Sequence, residues 1–324
     1  MGLHVKFNQE MKSANIKVEG ECKEEKTKAQ EVAEKFYACF FSGDLPGAMD
    51  CLSDDLVWTH YGPIGFLPFY GVFYGKMGFQ TWLMALLETT SLADFIFQLK
   101  YYTSEGDRVH THCLEGSIAV KTGAKFALEN FHAIEVKDDK IKSFTIISET
   151  STVINAYLKG IPGETAYKLT DYKIDAVLDI NKIKKISDDI FEIIKKGKKE
   201  EIINYISDDV EIAVTGIAGT VPYINKYVGK EQAKSFIEKI YPEILEIKKD
   251  YTIACHNNKA DIFTFLKGKS STLSKGFYVP FNISFQFNKD SKVSNIYIQN
   301  DNYVTSLAYK ATSVFTPGSL LKMD

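Results

Sequence analysis

The chain has 324 residues, of which 45% are hydrophobic and 25% are charged, as in a folded globular protein. Its formal net charge is −3, and lysines and acidic residues are interspersed, which excludes the basic surface that nucleic acid or an anionic membrane requires. The five cysteines are irregularly spaced and form no Cys-x-x-Cys pair, which argues against a disulfide framework or a zinc site and for a reducing compartment. With no signal-peptide pattern and no apolar run of about 18 residues, we expect a cytoplasmic protein without a membrane span.

The first predicted elements are helices. Residues 27–42 place Val32, Phe36 and Phe40 at helical intervals, and Gly43 ends this helix. A shorter helix is predicted over 45–52, and the sequence LVWTH then reads as a strand.

Residues 58–78, WTHYGPIGFLPFYGVFYGKMG, form what we call the ring-rich loop. Glycine and proline at this density indicate a loop, yet eight rings, one of them histidine, lie between Trp58 and Tyr74. Such a concentration of rings in a loop suggests the lining of a pocket rather than ordinary loop composition.

A third helix over 76–89 follows, and the remaining elements are strands and one last helix. The strands are predicted over 94–104, 107–121, 125–137 and 141–150, and the helix over 151–158. The turns SEGD, KTGA and KDDK separate the strands, which predicts an antiparallel meander. Helices followed by a curled sheet indicate an α+β fold with helices on one sheet face.

The chain repeats itself. Residues 42–76 align without a gap with residues 196–230 at an offset of 154, and residues 138–150 match 290–302 at an offset of 152. Several matches in order predict a tandem duplication. We predict domains over 26–160 and 180–312, a linker over 161–179, and tails over 1–25 and 313–324.

The two repeats share the glycines and the proline of the ring-rich loop but few of its rings. The residues Trp58, His60, Tyr61, Phe66 and Tyr70 become Ile212, Val214, Thr215, Thr220 and Ile224. Glycine and proline therefore belong to a shared backbone path, and the rings to a lining specific to the first unit. At the other histidines the offset of 152 aligns His132 with Ser284.

The first unit resembles the SnoaL-like branch of the nuclear transport factor 2-like superfamily. Three segments carry the resemblance: GDLPGAMDCLSDDLVWTH, FYGK, and FHAIEVKDDKIKSFTIISET. It implies two tandem cone-shaped domains, each a curved antiparallel sheet wrapped on about three helices and enclosing an apolar pocket. It further implies chemistry such as ketosteroid isomerisation, polyketide cyclisation, epoxide hydrolysis or dehydration, although many members only bind ligands.

Strand alternation sorts the candidate site residues. His132 shares a face with apolar residues of its strand and should point inward, as should His60 at the end of the first strand. His110 and His112 alternate with Thr111 and share a face with Leu114 and Ile118, which allows either an inward position for both or an outward-facing strand edge. Glu149 ends the last strand, where the resemblance implies a pocket carboxylate, although it could equally cap the last helix.

These residues predict cofactor-free acid–base chemistry on a small, hydrophobic, carbonyl-bearing or polycyclic molecule. The predicted catalytic residues are His132, Glu149 and His60. The predicted ligand-binding residues are Trp58, Tyr61, Phe66, Tyr70, Trp82 and His112. No metal or other cofactor is expected, although His110 and His112 together with His132 also suggest metal ligands.

Two other functions remain open. The pocket of the first unit could hold an apolar metabolite or pigment without turnover. Alternatively, because the resemblance implies pairing through open sheet faces, the two units could form an internal pseudo-dimer that serves as a scaffold, or the chain could form a homodimer.

Overall fold

The computed structural model describes residues 15–18, 26–164, 178–216, 221–248 and 252–309. The predicted tail 313–324, nearly all of the tail 1–25, most of the predicted linker 161–179 and the loop residue Thr220 lie outside these described residues. The chain divides into two compact units, residues 1–165 and 166–324, and each unit builds its own sheet.

The first unit contains the helices and strands that the sequence predicts and three further short strands, one of which lies within the ring-rich loop. Its helices are α1 (Lys28–Phe41), α2 (Leu45–Asp50), α3 (Gly75–Thr89) and α4 (Thr150–Lys159). Its strands are β1 (Asn15–Val18), β2 (Leu52–Tyr61), β3 (Gly71–Tyr74), β4 (Ile96–Glu105), β5 (Arg108–Ile118), β6 (Lys125–Lys137), β7 (Lys140–Ser148) and β8 (Gly163–Glu164).

Helix α1 begins and ends at residues that favour helix termini. The Thr27 side chain accepts a hydrogen bond from the backbone N–H of Gln30, and Gly43 adopts a φ of 80° just beyond the last turn. The apolar stripe of α1, which includes Phe36 and Tyr37, is buried against the sheet. This helix therefore supplies one wall of the space between helix and sheet.

The sheet is mixed. Strands β4 to β7 form the predicted antiparallel meander. However, β2 pairs in parallel with β7, which differs from the antiparallel sheet that we predicted. This parallel pairing aligns the ends of the two strands, with His60 opposite Ile146, so that His60 lies near Ser148. The α+β class itself is confirmed.

Cross-strand register shows which side chains face α1. His132 on β6 lies opposite Thr111 on β5 and Ile146 on β7. The Tyr37 hydroxyl on α1 lies 3.1 Å from Thr111 Oγ1 and 2.7 Å from His132 Nδ1. The face that carries these residues is therefore the inner face of the sheet.

The inward position that the sequence allows for His110 and His112 is wrong. Because side chains alternate along a strand, Thr111 on the inner face leaves both histidines on the outer face. The His112 ring stacks on Tyr101 at 4.8 Å and meets the edge of Phe131 at 5.1 Å. Both histidines are buried within these ring contacts and not within the space beside α1.

The second unit repeats this arrangement. Its helices are α5 (Ile180–Lys195), α6 (Lys230–Ile240) and α7 (Asn302–Ala308). Its strands are β9 (Ile206–Val214), β10 (Lys226–Val228), β11 (Ile244–Ile247), β12 (Thr252–His256), β13 (Lys259–Lys269), β14 (Gly276–Phe287) and β15 (Val293–Asn300). As in the first unit, the first long strand, β9, pairs in parallel with the last strand, β15.

The strand pairings also correct one predicted equivalence between the units. Trp58 pairs with Phe144, and Ile212 with Ile296, as the two sequence offsets require. The offset between β6 and β14 is smaller by one residue. His132 pairs with Ile146, and the equivalent of Ile146 in the second unit, Ile298, pairs with Ile283. The equivalent of His132 is therefore Ile283 and not Ser284.

Among the described residues, no helix is both long enough and apolar enough to cross a membrane.

Candidate functional site

The first unit encloses a cavity between its sheet and the helices α1, α3 and α4. Its volume, including the open mouth, is about 720 Å³. Aromatic rings supply most of its wall. The lining residues are Phe36, Tyr37, Phe40, Phe41, Trp58, His60, Phe69, Trp82, Leu86, Thr90, Phe95, Glu115, Phe126, Leu128, Asn130, His132, Phe144, Ile146, Ser148, Val153 and Tyr157.

Ring stacking fixes the apolar part of the wall. The Trp58 ring lies nearly parallel to Phe144, with centroids 4.1 Å apart, and tilts against Trp82 at 4.6 Å. Such contacts hold large rings in single orientations. The cavity therefore offers rigid, flat surfaces that suit a planar or polycyclic molecule.

A carboxyl group lies within this apolar wall. Glu115, on the inner face of β5, accepts a hydrogen bond from the side-chain amide of Asn130. Burial raises the pKa of the Glu115 carboxyl to about 7, although hydrogen bonds from Asn130 and Cys113 act in the opposite direction. Its side chain keeps 20% exposure, so the carboxyl is buried but can still be reached from the cavity.

His132 lies beside this carboxyl. Its Nε2 is 3.6 Å from Glu115 Oε1, which is an electrostatic contact and too long for a hydrogen bond. On the other side of the ring, Nδ1 is 2.7 Å from the Tyr37 hydroxyl, which also contacts Thr111. Burial lowers the pKa of His132 to about 3, with smaller effects from His60 and His112, so the imidazole is neutral near pH 7.

His60 forms a second polar chain at the end of β2. The Trp82 indole N–H donates to His60 Nδ1 at 3.3 Å, so the ring proton belongs on Nε2, which lies 3.2 Å from Ser148 Oγ. Burial lowers the pKa of His60 to about 3, which keeps the ring neutral. Because His60 donates to Ser148, the Ser148 hydroxyl proton is available to an acceptor in the cavity that Ser148 lines.

Four predicted site residues line the cavity: Trp58, His60, Trp82 and His132. Tyr70 does not line it but packs edge-on against His60 at 5.1 Å and so supports the wall from behind. Of the other predicted ligand-binding residues, Tyr61 and Phe66 are half-buried outside the lining, and His112 lies on the outer face of the sheet.

Glu149, predicted as a catalytic residue, caps a helix instead. Its carboxylate accepts hydrogen bonds from the backbone N–H groups of Ser151 (3.0 Å) and Thr152 (2.9 Å), and so caps helix α4. The side chain does not belong to the cavity lining. Of the two roles open at the sequence level, the structure therefore supports the cap, and Glu115 supplies the carboxyl of the cavity instead.

Sequence reasoning also missed Tyr37, Glu115 and Asn130. The turn between β5 and β6 could have identified Glu115 and Asn130. If Ile118 pairs with Lys125 across this turn, the register places Thr111 opposite His132. Once His132 faces inward, Glu115 and Asn130 must share that face. For Tyr37 the signal was its replacement by Phe191 in the second unit, which removes only the hydroxyl.

Cys113, Glu115 and His132 are the side chains at this site that could hold a metal ion. One ligand atom from each lies within 4.8 Å of the other two. However, burial, followed by the nearby carboxylates of Glu115 and Glu129, raises the pKa of the Cys113 thiol well above its usual value. Metal binding requires the thiolate, so this donor set disfavours a metal at neutral pH.

Residues 33–144, which lie within the first unit, match the family model described as a SnoaL-like domain, as the sequence motifs predicted. Among curated proteins, none matches the chain.

Solved structures of nuclear transport factor 2-like proteins are similar to part of the chain. An NTF2-like protein of unknown function from Burkholderia pseudomallei is 18% identical, with a TM-score of 0.38, over 41% of this chain and 99% of that one. TerC, co-crystallised with polyporic acid, is 19% identical, with a TM-score of 0.37, over 40% and 98%. An LEH-like epoxide hydrolase from Mycobacterium tuberculosis is 19% identical, with a TM-score of 0.32, over 41% and 91%.

Proposed function

Since residues 33–144 match the SnoaL-like domain, we propose that the first unit binds a small hydrophobic carbonyl compound and catalyses proton transfer at the carbon next to the carbonyl. The observation that carries this proposal is the Glu115 carboxyl, which lies in a cavity walled mostly by aromatic rings and has a pKa raised to about 7 by burial. A group with a pKa near the working pH can both take up and return a proton.

Glu115 acts as the base. As a carboxylate it takes a proton from the α-carbon, the C–H electron pair forms the C=C bond of an enolate, and the carbonyl oxygen takes the negative charge. The carboxylic acid so formed returns the proton to the same carbon or to a conjugated neighbour. The step is balanced without any cofactor, and it gives exchange or isomerisation according to where the proton returns.

The enolate oxygen requires a hydrogen-bond donor. Ser148 fits this role, because His60 Nε2–H donates to Ser148 Oγ and leaves the hydroxyl proton to donate onward. The sequence predicts His132 as a catalytic residue; we assign it instead a supporting role as a neutral group beside Glu115, held by Tyr37. Its neutrality matters, because a cation there would favour the carboxylate and lower its basicity.

Deuterium exchange tests the proposal without knowledge of the natural substrate. The purified full chain is incubated with 1-tetralone in D₂O, and incorporation at the carbon next to the carbonyl is followed by NMR. We expect catalysed exchange whose rate rises with pH through about 7, as Glu115 ionises. The Glu115→Gln variant should lose about 10²- to 10⁴-fold in rate, the usual contribution of a general base.

The matched control is Glu149→Gln, which replaces a carboxylate outside the cavity and should keep the exchange rate. Unchanged exchange in Glu115→Gln would overturn the proposed base. Tight binding of 1-tetralone by the wild type without exchange would instead favour the alternative, a protein that binds its ligand without turnover.

Two further expectations stay predictions. The cytoplasmic location agrees with Cys39, Cys51, Cys113 and Cys255, which are all free thiols. Pairing through open sheet faces, within the chain or in a homodimer, is the other. Light scattering of the purified protein would detect the homodimer as twice the chain mass of 36.6 kDa.

A further inference from the structure

The second unit has its own cavity, and its wall differs in chemistry from that of the first. It lies between the sheet and the helices α5 and α6, and its volume including the mouth is about 660 Å³. Twelve of the sixteen lining residues are isoleucine, and three of the others are phenylalanine. The lining side chains include no charged group and no histidine.

The strand pairings show that this difference is systematic. The equivalence of His132 and Ile283 extends along the neighbouring strands, because Thr111 pairs with His132 and Ile262 pairs with Ile283. Five polar residues of the first cavity, Tyr37, His60, Glu115, Asn130 and His132, therefore correspond to the apolar residues Phe191, Val214, Leu266, Phe281 and Ile283. The proposed base thus has an apolar counterpart, whereas the proposed donor Ser148 corresponds to Asn300, which does not belong to the lining of the second cavity.

Tyr241 is the remaining lining residue, and its hydroxyl donates to the backbone carbonyl of Ile194 at 2.7 Å. Because that proton is already used, a ligand carbonyl would find no side-chain donor in the lining, and a ligand hydroxyl would find only the Tyr241 oxygen as an acceptor. Leaving such a group unpaired is unfavourable, whereas every buried methylene is favourable. The wall therefore selects for a ligand segment without hydrogen-bonding groups.

We propose that the second unit binds the hydrocarbon chain of an aliphatic molecule and does not act on it chemically. Isoleucine methyl groups form an uneven surface whose gaps a flexible chain can fill, in contrast to the flat ring faces of the first cavity. Ile194 and Ile244 are partly exposed members of the lining and mark the opening, where a polar end of the ligand meets water. This site is independent of the proton transfer proposed for the first unit.

Isoleucine δ1-methyl NMR of the full chain tests the proposal directly, since isoleucine dominates the wall. The probes are 1-hexanol, 1-octanol and 1-decanol, with naphthalene as a ring-bearing comparison. We expect saturable shifts of the methyl signals of Ile283, Ile296 and Ile298, and about three- to fourfold tighter binding per added methylene until the cavity is full. Naphthalene should bind more weakly than 1-decanol at these methyls.

A matched pair of substitutions locates the site. Ile298 and Ile146 are equivalent residues that line the second and the first cavity, respectively. Ile298→Phe should reduce 1-octanol binding at least tenfold, whereas Ile146→Phe should leave it unchanged. Circular dichroism checks that each variant is folded. If a variant is not folded, the methyl shifts of the wild-type protein with 1-octanol test the proposal instead.

The proposal is overturned if 1-octanol at millimolar concentration leaves these methyl signals unmoved, if only signals from the first cavity shift, or if folded Ile298→Phe binds as the wild type does. Loss of 1-tetralone exchange has no bearing on these results, so the two proposals fail separately.

Discussion

The pKa of the Glu115 carboxyl is higher than that of the His132 imidazole, which reverses the usual order of these two groups. The pKa of the carboxyl is raised to about 7 and that of the imidazole is lowered to about 3, in both cases chiefly by burial. Between these values the carboxylic acid keeps its proton while the imidazole 3.6 Å away stays neutral. The pair is therefore not an ion pair, and the apolar wall that would hold the ligand also tunes the base.

The same shift predicts a dependence of stability on pH. In the unfolded chain the pKa of the Glu115 carboxyl is near its ordinary value of 4.5, so the native state binds more protons between pH 4.5 and about 7, and native stability falls as pH rises through this window. Glu115→Gln removes this loss. From pH 5 to pH 8 the free energy of unfolding of the variant should gain about 2.5 kcal/mol on that of the wild type.

Urea unfolding of both proteins at the two pH values measures this difference, and the direct comparison cancels groups that titrate in both. A pH-independent difference would mean that the carboxyl is not perturbed by burial.

We expect the protein to need no metal ion. Although Cys113, Glu115 and His132 lie close enough to share one, the Cys113 thiol resists ionisation and the carboxyl is largely protonated below pH 7. Protein purified in buffers containing zinc should hold far less than one zinc per chain by atomic emission, and EDTA should not change the exchange of 1-tetralone. One Co²⁺ per chain with thiolate absorption that disappears in Cys113→Ser would contradict this expectation.

At the scale of elements, the sequence predicted helices and strands well where one face is apolar. The stripe of α1 and the meander β4–β7 were predicted within a few residues. Strand β5 shows the limit, because Val109, His110, Thr111, His112 and Cys113 are all buried. With both faces buried, the alternation of apolar and polar residues disappears, and only pairing with β6 reveals which side chains line the cavity.

The glycines of the ring-rich loop were predicted to belong to a shared backbone path, and the structure supplies a reason. A Cβ added at Gly62 would meet the Tyr70 ring at 2.4 Å, and one added at Gly216 would meet Ile224 Cδ1 at 2.6 Å. In both units the residue eight positions later packs on the glycine. The backbone path is thus retained while the packing side chain changes from a ring to an aliphatic group.

Helix capping tests the corrected role of Glu149. Its counterpart Asp301 caps α7 by accepting from the N–H of Val304 at 3.1 Å. Glu149→Ala and Asp301→Ala should each lower the free energy of unfolding by about 1 kcal/mol, the usual loss on removing such a cap. Urea unfolding measures both, and 1-tetralone exchange should persist in both. Loss of exchange in folded Glu149→Ala would restore Glu149 as a member of the site.

At the scale of the whole molecule, the duplication acts as an internal comparison. Sequence alone indicated that His60 and His132 have no histidine counterpart in the second unit, but it misaligned His132 by one residue and did not identify Glu115. The strand pairings strengthen the contrast between the units, because Glu115 and His132 are replaced by Leu266 and Ile283 at the equivalent positions of the second unit. The two units therefore share one fold but differ in their cavities. The first unit has a cavity walled mostly by rings with titratable groups, and the second has an aliphatic cavity.

This division predicts one carbonyl site per chain. In the first cavity the carbonyl of 1-tetralone can accept from Ser148, whereas in the second it would lie among isoleucine side chains without a donor. An unpaired buried carbonyl costs about 1–3 kcal/mol, which weakens binding roughly tenfold to a hundredfold. Isothermal titration calorimetry with 1-tetralone should therefore give a stoichiometry of one, lost in Ile146→Phe and kept in Ile298→Phe. Two equivalent sites, or the opposite response of the two variants, would show that the polar groups of the first cavity do not select the ligand.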